Sequence, residues 1–162
     1  MRGRVTRLVL DALVFGSTDG CLHAVTASGG TPLWKHALGG PSFATACVVP
    51  SAHRVYATSQ AGALHCVDLR DGSLCWSHQG QYRGHSSPCA MGAAGDVVCA
   101  AGVDGTLSWF TTADGRLHAT HTLPADVFSS PVMSMGDGRC LVGCRDDGLW
   151  CLHVPGLCMR SS

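Results

Sequence analysis

Near the C-terminus, GCRDDGLWCLHV (143–154) sets Cys144 and Cys151 on either side of an acidic turn. A thiolate metal site or a redox pair presents this arrangement. The chain has nine histidines, and His36, His78 and His121 recur at one position relative to Trp34, Trp76 and Ala119. Repeated imidazoles of that kind invite a zinc reading. Ser86, Ser87, Ser129 and Ser130 lie beside His85 and near Asp126, the residue types of a nucleophile, a base and an orienting acid. Whether any of these groups meets another depends on the elements that carry them.

Those elements repeat. LVFGSTDGCLHAV (13–25), VYATSQAGALHCV (55–67), VVCAAGVDGTLSWF (97–110) and LVGCRDDGLWCL (141–152) share one grammar, with turn glycines at Gly20, Gly62, Gly105 and Gly148. The intervals are 42, 43 and 43 residues. An apolar run enters a turn, usually Asp-Gly, and a second apolar run leaves it, which is a strong hairpin signal. Two residues past the glycine stand Leu22, Leu64, Leu107 and Trp150, and two further on Ala24, Cys66, Trp109 and Leu152. Apolar alternation of this kind is what a pleated strand requires.

A second turn follows in TASGGTPLW, LRDGSLCW and TADGRLHA, and a fourth short element in FATA (43–46), SSPC (86–89) and SSPV (129–132). Four short strands per unit of this length, without helical periodicity, describe the blade of a β-propeller. The expected fold is all-β: a partial propeller of about four four-stranded blades, repeats near 1–40, 41–83, 84–126 and 127–162, the last incomplete. Leu22, Val25, Leu64, Val67, Leu107, Phe110 and Leu152 are expected in the core, with Trp34 and Trp76 packed between strands or blades.

The repeat dissolves most of the candidate chemistry. In this alignment Cys144 matches Gly16, Thr58 and Ala101, and Cys151 matches His23, His65 and Ser108. A hairpin that survives such exchanges is structural. Equivalent histidines on neighbouring blades stand at least the ~10 Å of packed sheets apart, too far to share a zinc that needs bonds of about 2.0–2.1 Å. No C-x-x-C and no G-x-S-x-G occurs. No catalytic, cofactor or metal residue is assigned. The SSP element is the expected channel-lining strand, so His85, Ser86, Ser87, Phe128, Ser129 and Ser130 are the candidate channel residues.

Bulk composition agrees. The chain is 46% apolar and only 14% charged, with 21 glycines, as strands buried on both faces and joined by tight turns demand. Eleven basic and eleven acidic residues leave no basic stripe for nucleic acid. The opening MRGRVTRLVLDALVF is interrupted by Asp11 and reads as a strand rather than a signal peptide. Nothing reaches transmembrane length. Ten cysteines without an export signal read as free, buried thiols in a reducing cytoplasm.

The pattern G-x-x-D-G-x-L, a DG turn, L-x-W and S-S-P-V resembles the quinoprotein-type (PQQ-like) propeller repeat over nearly the whole chain. LPADVFSSPVMSMGDGRCLVGCRDDGLWCL (123–152) is similar to the end of the propeller in the beta-alanine-activating enzyme family, acyl-CoA synthetase relatives that carry an adenylation domain, a phosphopantetheine carrier and then this propeller. The resemblance implies the tail of such an enzyme or a truncated product of its gene, and a repeat with loops and a channel but no catalytic set is expected to be a non-catalytic binding or scaffold module. Its partners would be the adenylation and carrier domains of a parent chain, or an acceptor protein or RNA. The alternative it leaves is a fragment of a quinone-dependent dehydrogenase. The adenylation and carrier regions are absent, and four repeats are too few for the family's rings of seven or eight blades. Ser42 in ALGGPSF (37–43) imitates a carrier attachment serine, but the β-branched sequence after it opens no helix. Without Asn or adjacent cysteines, the quinone–calcium ligand set is missing, so no cofactor is expected. Open blade edges predict self-association.

Overall fold

Apolar runs that meet across a tight turn pair as antiparallel strands, and here they do so four times. The computed structural model describes residues 11–91, 96–134 and 138–154. The first blade holds β1 (Ala12–Gly16), β2 (Cys21–Thr26) and β3 (Pro32–Ala37). The second holds β4 (Cys47–Val49), β5 (Arg54–Thr58), β6 (Ala63–Asp68) and β7 (Leu74–Gln79). The third holds β8 (Cys89–Met91), β9 (Val97–Ala101), β10 (Thr106–Thr111) and β11 (Leu117–Thr122). The fourth holds β12 (Val132–Met133), β13 (Arg139–Gly143) and β14 (Leu149–His153). Strands of each blade pair in chain order as a meander. Among the described residues the one helical turn is a 3-10 turn at Pro50–Ala52. The opening run, read as a strand, falls largely on residues 1–10, which lie outside the described residues.

Both end blades have three strands among the described residues, whereas only the last was expected to be short. The innermost strand also begins later than expected. FATA and the SSP of SSPC and SSPV lie in the loops that lead into β4, β8 and β12, which start at Cys47, Cys89 and Val132. Pro88 and Pro131 have no amide to give a ladder, so pairing begins just beyond them. β4 approaches β8, and β8 approaches β12, which places these short strands nearest the axis.

The fourth hairpin corrects the repeat register. Gly20, Gly62 and Gly105 hold φ of 81°, 85° and 82°, and the corresponding left-handed residue of the last turn is Asp147 at 63°, not Gly148. Hydrogen bonds agree: Ser17 N to Cys21 O (2.9 Å), Gly102 N to Thr106 O (2.7 Å) and Cys144 N to Gly148 O (2.9 Å) are one bond repeated. Asp146 Oδ1 accepts from Gly148 N as Asp19 does from Cys21 N and Asp104 from Thr106 N. Asp tolerates the left-handed region, so the visible Asp-Gly pair pointed one residue too far. The structural partners of Leu22, Leu64 and Leu107 are therefore Leu149 rather than Trp150. Cys151, rather than Leu152, matches Ala24, Cys66 and Trp109, and Cys144 matches Ser17, Ser59 and Gly102.

The core lies between blades. Val55, Ala57 and Val67 of the second blade pack on Leu22, Val14 and Trp34 of the first. Val98, Ala100 and Phe110 of the third pack on Tyr56, Leu64 and Cys66 of the second. Cys140 and Val142 of the fourth pack with Cys99, Leu107 and Trp109 of the third. Consequently β5 and β9 are buried almost throughout, while β1 and β13 alternate. Leu22, Leu64, Val67, Leu107 and Phe110 are fully buried as expected. Val25 and Leu152 are half-buried because they belong to the end blades.

Each outer-strand tryptophan docks on the next blade. Trp34 Nε1 donates to Leu69 O (2.9 Å) and Trp76 Nε1 to Thr112 O (3.2 Å). Their rings lie on Gly72 and Gly115, where an added Cβ would come within 2.7 and 2.6 Å of the indole. These turn glycines, at φ of 75° and 71°, serve both the backbone and the close approach. In the third blade the pair is inverted across the strands: Ala24 faces Trp34 and Cys66 faces Trp76, but Trp109 faces Ala119.

Candidate functional site

Of the four serines that could have been nucleophiles or channel donors, Ser87, Ser129 and Ser130 have hydroxyls tied into the frame and Ser86 is buried. Thr45 N donates to Ser87 Oγ and Ser87 N to Ser130 Oγ, both at 2.9 Å. Residues 45, 87 and 130 are one repeat position, so this is a ladder linking successive blades near the axis. Ser129 Oγ donates to Gly143 O (2.7 Å). Ser86 is buried, and its carbonyl accepts from Thr58 Oγ1 at 3.2 Å. Ser42, the imitation carrier serine, is buried with its hydroxyl on Thr58 O at 2.7 Å.

His85 faces rings rather than hydroxyls. It stacks on Phe43 (centroids 6.0 Å, 9° between planes) and meets Phe128 edge-on (5.6 Å, 79°). Positions 43, 85 and 128 are again one repeat position, one residue before the Ala44, Ser86 and Ser129 position. Phe43 is 61% exposed and Phe128 43%, so the row is a surface feature of the loops between blades. Two residues from equivalent hairpin turns flank it. Gln60 Nε2 lies 3.0 Å from His85 Nε2, and the Arg145 guanidinium sits 5.5 Å from the Phe128 centroid. The sequence reading named His85 and Phe128 and missed Phe43, Gln60 and Arg145. The signal for Phe43 was present in the repeat interval, but for Gln60 and Arg145 it was hidden by the one-residue register error.

The remaining candidates separate. Cys144 is buried and its thiol points to Ala125 O (3.3 Å), while Cys151 is exposed opposite Leu141. His36 reaches into the second blade, with Nδ1 donating to Gly72 O (3.1 Å) and Nε2 3.1 Å from His65 Nδ1. Burial, with His36 adding to it, holds the His65 imidazole down to about 4. His78 instead packs on Phe110 at 4.6 Å. Burial raises the Cys47 and Cys89 thiols, which suits packing rather than nucleophilic attack. What the surface can do is bind: a row of touching rings, a guanidinium and an amide on a fixed frame.

Comparison with known proteins settles the lineage. A family profile for PQQ-type repeats, described as outer membrane protein assembly factor BamB, matches residues 7–153. The chain belongs to this BamB-type family. The BamB structure from Moraxella catarrhalis superposes with a TM-score of 0.74 at 24% identity, covering 89% of this chain and 43% of that one. The computationally designed Ika4 protein superposes at 0.76 with 16% identity, over 89% of this chain and 86% of that one, and shares the fold. Among curated relatives, the human beta-alanine-activating enzyme is 29% identical over 114 residues, 68% of this chain and 10% of that protein. The Danio rerio enzyme is 30% identical over 106 residues, 63% of this chain and 9% of its own length. The chain thus spans about a tenth of the curated relatives it matches.

The quinone after which these repeats are named is a polyanionic ring system that needs oxygen and cation donors. The described BamB-type inner strands offer CVV, CAM and VM, and the hydroxyls leading into them bond to the frame or are buried. No group of three His, Cys, Asp or Glu among the described residues is placed for a metal. The donor set does not fit the quinone and its calcium.

Proposed function

We propose that this chain is a non-catalytic binding and scaffold module, the propeller of a beta-alanine-activating type of enzyme. In that setting it holds the adenylation and carrier domains, or the acceptor of the activated amino acid, against the Phe43–His85–Phe128 row. The observation that carries the reading is the contrast at one end of the propeller. The hydroxyls of Ser87, Ser129 and Ser130 are committed to backbone bonds, while the neighbouring aromatic position is exposed and its rings touch from blade to blade, stacked at Phe43–His85 and edge-on at His85–Phe128. Exposed, pre-positioned rings beside an Arg are what protein-recognition hot spots are made of. The unpaired thiols of the described residues suit a reducing compartment, the cytoplasm. No helix among the described residues is long and apolar enough to cross a membrane.

The test is calorimetric titration of this chain with an adenylation–carrier protein from a beta-alanine-activating enzyme. Binding that Phe43→Ala and Phe128→Ala together weaken at least tenfold is expected. Unchanged binding in that double variant, or no binding at all, contradicts the proposal.

A further inference from the structure

The two end blades expose the faces that interior blades bury. One face of each blade is marked by the position of Leu22, Leu64 and Leu107, each 0% exposed against the next blade, and its fourth member Leu149 is 76% exposed. The opposite face is marked by the position of Val55, Val98 and Cys140, each 0% exposed against the preceding blade, and its first member Leu13 is 57% exposed. Phe15 agrees: it is 45% exposed, where its equivalents Ala57, Ala100 and Val142 are at most 2% exposed. The docking turn shows the same vacancy of contact. Gly72 and Gly115 lie under indoles, but Gly30, the same turn position in the first blade, has nothing within 4 Å of an added Cβ.

These end faces are the two halves of one kind of interface. Leu149 and Leu141 present what Leu64 and Tyr56 present to the third blade, and Leu13 with Phe15 presents what Val98 with Ala100 presents to the second. A last-blade face therefore fits a first-blade face. A single chain does not join its own two: the 89% of it that superposes on BamB covers 43% of that chain, so the whole of it amounts to about half of such a propeller. Two copies supply two such joints at once.

We propose that two copies of this chain associate head-to-tail at both ends, the last blade of each on the first blade of the other, to close one ring. The contact is heterologous at each joint, and rotation by half a turn closes it instead of propagating a filament. Loops carrying Phe43, His85 and Phe128 from both copies then lie on one rim. The inference is independent of which partner that rim binds.

Sedimentation velocity and light scattering on the 162-residue chain, in reductant, test it. The expected mass is twice 16.8 kDa, at every concentration above the dissociation constant. Leu149→Asp, on a side chain already in solvent, is expected to shift the population to monomer with unchanged far-UV dichroism. Leu13→Asp is expected to do the same. Mixing the two single variants restores at most one joint, and so gives a weaker, open dimer. A folded monomer at tens of micromolar, oligomers that continue beyond two, or a dimer indifferent to Leu149→Asp overturns the proposal. So does a chain that stays monomeric until blades of a beta-alanine-activating enzyme are added.

Discussion

Gly30, Gly72 and Gly115 offer a controlled experiment that the repeat itself has set up. All three occupy the same turn position with φ of 66°, 75° and 71°. Substituting Ala imposes the same left-handed penalty at each, roughly 1–2 kcal/mol. It is partly offset by about 0.4–1 kcal/mol from a stiffer unfolded chain. At Gly30 the new methyl meets nothing within 4 Å, so a net cost near 1 kcal/mol is expected. At Gly72 it would stand 2.7 Å from the Trp34 ring, and at Gly115 2.6 Å from the Trp76 ring. Carbon contacts settle at about 3.5–4.0 Å, so each indole must withdraw by about 1 Å. Overpacking of that kind costs about 1–3 kcal/mol, and stretching the indole hydrogen bond adds about 0.5–1.5 kcal/mol. Gly72→Ala and Gly115→Ala should therefore cost roughly 2–4 kcal/mol more than Gly30→Ala. For a chain of this length that is a further fall in Tm of roughly 4–16 °C. Urea unfolding followed by tryptophan fluorescence, with calorimetry alongside, gives the numbers. Equal losses at all three positions would refute the docking of each tryptophan on the following blade.

Other consequences follow from the same geometry. Asp147→Gly should raise stability by about 1 kcal/mol in urea unfolding, because it removes a side chain from the left-handed position; a loss would restore Gly148 as the turn residue. His65 is held near 4 when folded against 6.5 when free, so the unfolded chain binds more protons between those values. Its contribution is complete above pH 6.5 and is lost as pH falls toward 4, by at most about 3 kcal/mol, and His65→Gln should flatten that part of the pH–stability curve. Thiol labelling in native buffer should modify the exposed Cys75 and Cys151 first, while the buried Cys66, Cys99 and Cys140 react only on unfolding. Rapid labelling of Cys99 would contradict the blade 3–4 interface.

Much of this architecture could be read from residue spacing, because a propeller writes its period into turns and apolar strands. Leu22, Leu64 and Leu107 showed the core, and Trp34 and Trp76 showed the docking position. Asp147 could not be anticipated: Asp-Gly normally places the glycine in the left-handed position, and here the preceding Asp takes it. That slip hid Leu149 as a member of the leucine series and Arg145 as the counterpart of Gln60. The serines of SSP were legible as a repeated element near the axis. The hydroxyl partners of Ser87 and Ser130 lie one blade away, 42 and 43 residues along the chain, and such long-range pairings have no local signature. His85 and Phe128 were legible beside the SSP serines, but FATA lacks those serines, and matching it to SSPC and SSPV sets Phe43 opposite Ser86 and Ser129, one residue away from its true counterparts.

The central claim is that the first and second blades each lean on the next through an indole laid over a glycine turn. Proton NMR of the α-protons of Gly30, Gly72 and Gly115 tests it most directly. Gly72 and Gly115 should be displaced upfield by the rings above them and show cross-relaxation to Trp34 and Trp76 respectively, while Gly30 stays at an ordinary shift. Ordinary shifts at all three glycines, or cross-relaxation linking each tryptophan to a glycine of its own blade, would contradict the account.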